Sequence, residues 1–376
     1  MQAIYLSSIQ MNRKEFLKIC GILGIGLPAQ ASLVGCTKDV LTSNFNGKVI
    51  IVGAGPGGMS AAYLLTQLGV DVEVLEATAQ VGGRIKINPD FTDFPIPLGA
   101  EWLESDTNTL QEMVNDSSVD VDVKTVYDNP DYKFVNASWF NFFDTYIFPS
   151  IVDKIKYNEV VTSVDYTSDK IEIKTKDATY SADKVIVSVP LKILKDGDIE
   201  FTPALPQAKT TAIKEAEIWD GFKAFIEFKD NFYGDGHDFK ISPKTDGEKI
   251  YYDAAFGQNS TKNILGLFVV GKPAQDFNTK SGDTLRDFIL KELDGLFNNK
   301  ATPNYIKHIA QDWNKEPFIK GGYLSDHADW KTVRELGKTV SEKVYFAGGA
   351  YTDGQDWVSV HVAAQSAKTA VEELVQ

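Results

Sequence analysis

Cysteine is nearly absent from the chain: its 376 residues hold two, Cys20 and Cys36, both within the first 36 positions. The remainder has no thiol for an internal disulfide and no cysteine cluster for a metal, so no metal site is expected. Positive charge is also short, with 38 Lys and Arg against 52 Asp and Glu, a formal net charge of −14. Residues 1–36 contribute three basic side chains and one acid, so they carry +2 and the rest carries −16. Such a balance argues against electrostatic binding of nucleic acid or an anionic membrane and mildly favours small cationic molecules. Long hydrophobic runs are missing too, because the apolar stretch at residues 19–31 is too short and too glycine-rich to span a bilayer stably. What remains is 43% hydrophobic and 24% charged, the composition of a globular chain long enough for two domains with sizeable cores.

Residues 1–36 read as an export segment. Asn12, Arg13, Lys14, Glu15, Phe16, Leu17 and Lys18 form a basic stretch ahead of the apolar one. Leu33, Val34, Gly35 and Cys36 resemble a bacterial lipobox, whose cysteine is lipidated and becomes the new N-terminus. NRKEFLK resembles a twin-arginine signal with Lys14 in place of the second arginine, and Met11 is a candidate initiator. The implied location is the bacterial cell envelope, at the periplasm or outer surface, with membrane contact only through lipidated Cys36. An ordinary N-terminal helix is the alternative, and Gly21, Gly24, Gly26 and Pro28 make a poor one. Residues 37–47 read as a tether.

The densest signal runs through residues 48–84. Residues 49–52 are an apolar, mostly β-branched run that reads as a strand buried on both faces of a parallel sheet. Gly53, Gly55 and Gly58 follow at GxGxxG spacing, with Pro56 and Gly57 between them. Gly53 permits the tight turn, Gly55 admits a pyrophosphate to the backbone, and Gly58 lets the next helix, at residues 59–68, lie close on the strand. A second strand at residues 72–75 ends at Glu76, eighteen residues beyond Gly58, where a carboxylate can accept from ribose hydroxyls, with Ala77 beside it. Strand, turn, helix, strand and acid in this order specify a dinucleotide site.

Val81, Gly82, Gly83 and Arg84 resemble the segment that the flavin-containing amine oxidase family places along FAD. Three further stretches share that resemblance. PLGAEWLE supplies Gly99, Ala100, Glu101 and Trp102, which the family runs beside the isoalloxazine; NEVVTSVDY supplies Val161, which would pack on the adenine. VYFAGGAYTDGQDWVSVHV supplies Gly348 and Gly349, and Val358 and Val360 at the start of a final helix. That helix would point its N-terminus at flavin N1 and O2. Gly349 stands where the family usually has an acid, which implies weaker ribityl contacts.

The resemblance implies an α/β chain with a Rossmann-like FAD/NAD(P)-binding domain of p-hydroxybenzoate-hydroxylase type and a second, mixed-sheet plus helix substrate domain. The FAD-binding parts would be residues 48–104, 153–204 and 339–376, with a shortened cap at 105–152 and the substrate domain at 205–338. In GFKAFIEF, residues 221–228, Lys223, Phe225 and Glu227 alternate with Phe222, Ala224, Ile226 and Phe228. The family carries a lysine at the position of Lys223, joined through water to flavin N5, so Lys223 is the first catalytic candidate. WNKEPFIKGGY places Trp313 against the flavin, and Tyr323 stands where some members attach FAD to a cysteine. FAD is therefore expected to bind non-covalently, with Tyr323 as a second catalytic candidate on an aromatic wall favouring an amine cation.

The implied reaction is hydride transfer from a C–H beside an amine to flavin N5, then imine hydrolysis and reoxidation by O2 or an unknown acceptor. Two other readings stay open. The chain could be a desaturase or oxidase for an apolar substrate, on account of an aromatic cluster at Trp139, Phe140, Phe142, Phe143, Tyr146 and Phe148. It could also be a non-catalytic, envelope-anchored remnant, on account of the short cap and Gly349.

Overall fold

In a computed structural model, residues 43–126, 131–234, 238–240 and 246–376 are described. The expected export segment, Cys36 and most of the tether lie outside them. The strands used below are β1 (Lys48–Val52), β2 (Asp71–Glu76), β3 (Ile155–Tyr157), β4 (Lys184–Val187), β5 (Gly221–Phe228), β6 (Gly247–Asp253), β7 (Asn263–Gly271), β8 (Tyr305–Asp312) and β9 (Val344–Phe346). The helices are α1 (Pro56–Gln67), α2 (Gly282–Leu296) and α3 (Val360–Val375).

A parallel sheet in the order β9-β4-β1-β2-β3 carries the dinucleotide motif. Val49, Ile50 and Ile51 are wholly buried because β1 lies in its centre with both faces covered. α1 begins at Pro56, three residues earlier than its apolar pattern suggests, since proline at the first helical position has no N–H to leave unbonded. α3 lies against α1, and both helices bury small residues, Gly57, Gly58, Ala61 and Ala62 in α1 and Ala363, Ala364, Ala367 and Ala370 in α3. The apolar run at residues 182–189 is not one strand. It divides at Asp183, whose carboxylate accepts from the Lys48 backbone N–H at 2.8 Å and from Lys170 Nζ at 2.6 Å, so Thr179–Ala182 joins a separate antiparallel sheet.

The second large sheet is antiparallel, in the order Asp238–Lys240, β6, β7, β5, β8. Alternation along β5 assigns its two faces. Phe222, Ala224, Ile226 and Phe228 pack under α2 with Leu285, Ile289, Leu290 and Leu293. Phe225 points the other way, into a core with Ile96, Leu98, Tyr252 and Trp313. Lys223 shares that second face and is carried toward the parallel-sheet half.

The cap segment contributes a three-stranded sheet in which Asp131–Phe134 lies between Trp102–Leu103 and Val123–Val126. It also contributes the helix Trp139–Tyr146. Half of the expected aromatic cluster is core: Trp139, Phe142 and Phe143 are at most 2% exposed, stacked edge to face, with Trp139 Nε1 donating to Trp102 O at 2.9 Å, while Phe140, Tyr146 and Phe148 are half-buried.

Candidate active site

The parallel-sheet end of the site is built from backbone. Gly53 leaves β1 with its N–H bonded to Leu75 O at 2.8 Å, and α1 starts three residues on. A Cβ on Gly58 would lie 1.9 Å from Gly53 O, so only glycine lets α1 lie on this turn. The first turn of α1 holds no acid, so its unpaired amides and positive dipole end are free to face an anion. Glu76 is fixed beside it: its carboxylate accepts from the Ala54 N–H at 2.8 Å, the Thr78 N–H at 3.0 Å and Thr78 Oγ1 at 2.8 Å.

Arg84 is a half-buried cation on this part of the wall. Its guanidinium donates to Gly322 O, and among the described residues no carboxylate stands within ion-pair distance of it. Burial lowers its pKa, yet a guanidinium keeps its charge. A half-buried guanidinium on the same cavity wall as the α1 N-terminus, with no carboxylate paired to it, fits the diphosphate of a dinucleotide.

One cavity of about 950 Å³ joins this end to the antiparallel sheet. Its wall includes Gly53, Gly55, Pro56, Gly57, Glu76, Ala77, Gly83 and Arg84 from the first segment, and Ala100, Glu101 and Trp102 from the next. Val161, Trp313, Tyr323, Gly348, Gly349, Val358 and Val360 complete the sequence-derived set on the wall.

Three expected contacts are placed elsewhere. Gly58 packs helix on strand as described. Gly99 does not border the cavity, because its missing side chain is filled by the Arg84 carbonyl, 1.8 Å from where a Cβ would be. Lys223 is also set back from the wall, with its ammonium donating to Pro97 O at 3.0 Å, Gly99 O at 3.1 Å and Glu101 Oε2 at 2.7 Å. These acceptors use all three N–H groups, so the structure leaves none for a bridging water.

Gly349 has a local reason. A Cβ there would approach Val358 O to 2.9 Å, and Gly349 O accepts the Val358 N–H at 2.9 Å. Val358 itself has φ +92°, a left-handed conformation that a β-branched residue adopts only under strain, and α3 accordingly starts at Val360 instead.

The other end of the cavity is acidic and aromatic, and most of it escaped the sequence reading. Glu104, Asp131, Glu248 and Asp326 line it with Trp102, Phe268, Tyr323 and Trp357. Glu104 keeps an exposed edge, yet protein packs around much of its carboxyl. Burial therefore raises its pKa, Asp131, Asp356 and Asp326 raise it further, and a hydrogen bond from Ser359 Oγ only partly offsets them. Tyr323 is pushed well above the usual phenol range, first by burial and then by Asp326, Glu104 and Glu248. These acids come from four segments with no common spacing; only Glu104, two residues past Trp102 in PLGAEWLE, had a nearby sequence signal.

A dinucleotide cradle joined by one cavity to an acidic, aromatic chamber fits a nucleotide-dependent oxidoreductase. The comparisons name the cofactor. Residues 152–375 match the family model of flavin containing amine oxidoreductases, and residues 51–117 match that of an NAD(P)-binding Rossmann-like domain. Polyamine oxidase 6 of Oryza sativa subsp. japonica is 23% identical, the match covering 80% of this chain and 85% of that protein. Polyamine oxidase 1 of Zea mays is 22% identical, over 75% and 81%. Lysine-specific histone demethylase 2 of Homo sapiens is 23% identical over 77% of this chain, which spans about half of that protein's length, 48%. The chain belongs to the flavin-containing amine oxidoreductase family and is an FAD-dependent oxidoreductase.

Proposed function

We propose that the protein oxidises a cationic amine, with a polyamine as the best fit, by hydride transfer to FAD held in this cavity. The observation that carries the reading is the polarity of the two ends: amides and Arg84 at one, Glu104, Asp131, Glu248 and Asp326 beside aromatic rings at the other. FAD, when bound, supplies the hydride acceptor. Gly55, Gly57 and the α1 N-terminus would hold its phosphates with Arg84. Ionised carboxylates draw in an ammonium group, and the faces of Tyr323 and Trp357 offer it cation–π contact while excluding water. The N-terminus of α3, at Ser359 and Val360 on the wall, favours negative charge forming beside it.

The test is anaerobic mixing with spermidine carrying protium or deuterium on the carbons beside nitrogen. Flavin bleaching that slows with deuterium is expected. Bleaching by a polyene or porphyrinogen but by no amine would select the apolar-substrate reading, half of whose supporting aromatic cluster lies in the core. Oxygen consumption in the same assay would distinguish O2 from another electron acceptor.

The location is proposed on the sequence of residues 12–36 alone: export, and membrane attachment through lipidated Cys36. Loss of membrane fractionation on Cys36→Ala is the expected result, and unchanged fractionation would contradict it.

A further inference from the structure

Behind the wall formed by Ala100, Glu101 and Trp102 lies a sealed cluster of charge. Glu101, Lys133 and Lys223 are 3%, 5% and 2% exposed. Glu101 Oε2 accepts from Lys223 Nζ at 2.7 Å and from the Tyr252 hydroxyl at 2.6 Å. Its Oε1 faces Lys133 Nζ at 3.3 Å, and Lys133 also donates to Ala254 O. Lys133 comes from the shortened cap, delivered opposite Trp102 by strand pairing.

The charges do not balance. Three oxygens at 2.7–3.1 Å around Lys223 Nζ call for three N–H groups, so that nitrogen is an ammonium. Burial pushes Glu101 up, but the two lysines and the Tyr252 hydrogen bond outweigh it and keep the carboxyl below its usual range. Among the described residues, Glu101 is the one carboxylate within ion-pair distance of either lysine. Two lysines thus share a single carboxylate. The Glu101–Lys223 pair would be complete without Lys133, whose charge is surplus and expensive to bury.

We propose that Lys133 is a positioning residue for the redox chemistry: by giving the Glu101–Lys223 pair a surplus positive charge beside the cavity, it raises the reduction potential of the FAD held there. Reduction brings two electrons and one proton to the flavin and leaves it one negative charge, which a buried cation favours. The inference rests on FAD occupying this cavity and not on the identity of the amine.

The test is the two-electron midpoint potential of wild type, Lys133→Met and Lys133→Arg, measured with a chemical reductant and reference dyes so that no amine substrate is needed. The expected shift for Lys133→Met is about tenfold toward oxidised flavin, roughly 30 mV more negative, with Lys133→Arg at the wild-type value. The thermal midpoint of Lys133→Met without flavin should stay within a few degrees of wild type, because the surplus charge goes while Glu101 Oε1 and Ala254 O lose a partner. An unchanged potential in Lys133→Met, a variant that fails to fold, or the same fall in Lys133→Arg would each overturn the inference. A wild-type chain that takes up no FAD would overturn the reading of the cavity as well, and is told apart by flavin content.

Discussion

The two ends of the cavity solve recognition by different means. The parallel-sheet end uses backbone amides, missing side chains and the half-buried cation Arg84, whereas the antiparallel-sheet end uses carboxylates and rings from distant segments. Close backbone approach tolerates no added atom. Charge and ring contacts are graded, so losing one weakens binding without destroying the chamber.

That difference sets the order of expected effects. Gly58→Ala forces a Cβ to within 1.9 Å of a backbone oxygen, and Gly99→Ala to within 1.8 Å. Each should cost about 3 kcal/mol or more, the upper end of overpacking penalties, with loss of FAD uptake seen by denaturation and flavin content. Arg84→Met keeps the fold but should weaken FAD by about 2–5 kcal/mol, some 30-fold or more, in a titration of the flavin-free protein. An unaltered affinity would break the assignment of Arg84 to the diphosphate.

At the acidic end, Glu104→Gln should raise KM for a polyamine roughly tenfold while FAD affinity stays constant, the loss expected for a charged hydrogen-bonding partner. Because the Glu104 pKa is raised, its proton is held to higher pH, and only the ionised form pairs with an ammonium. Amine affinity of the wild type should therefore increase as pH rises through that pKa, and Glu104→Gln should remove this limb of the profile.

The smallest effect serves as a control away from both ends. Lys209 is 1% exposed, donates to Glu335 O at 2.9 Å and Leu336 O at 2.7 Å, and sits 3.9 Å from the Phe346 ring centre. With carbonyls in place of a carboxylate, burial draws its pKa down to about 7. Lys209 in the unfolded chain keeps its proton to about pH 10.4, so between these values the unfolded state binds the extra proton. Stability from this group should increase with pH across that window, by at most about 1.4 kcal/mol per pH unit, and Lys209→Met should flatten the rise. Neither FAD nor amine affinity should move.

The contrast also explains what the sequence could show. Backbone recognition leaves a spacing: Gly53, Gly55 and Gly58 followed by Glu76 can be read as a line of text, because a turn, a helix start and a strand end are local events. The same holds for β5, where alternation assigned Phe225 and Lys223 to one face. The charged end offers no such line. Glu104, Asp131, Glu248 and Asp326 are brought together by two sheets and two loops, and Lys133 reaches Glu101 only through the pairing of Trp102 with Lys133. Gly99 lies off the cavity wall for a related reason, since a missing Cβ shows that something comes close but not what.

The most direct test is the visible spectrum of the purified protein before and after spermidine is added without oxygen. A flavin spectrum at one FAD per chain that bleaches with the amine is the expected result. A colourless protein that takes up no FAD, or a flavin bleached by dithionite but by no amine, would contradict a single cavity built for both.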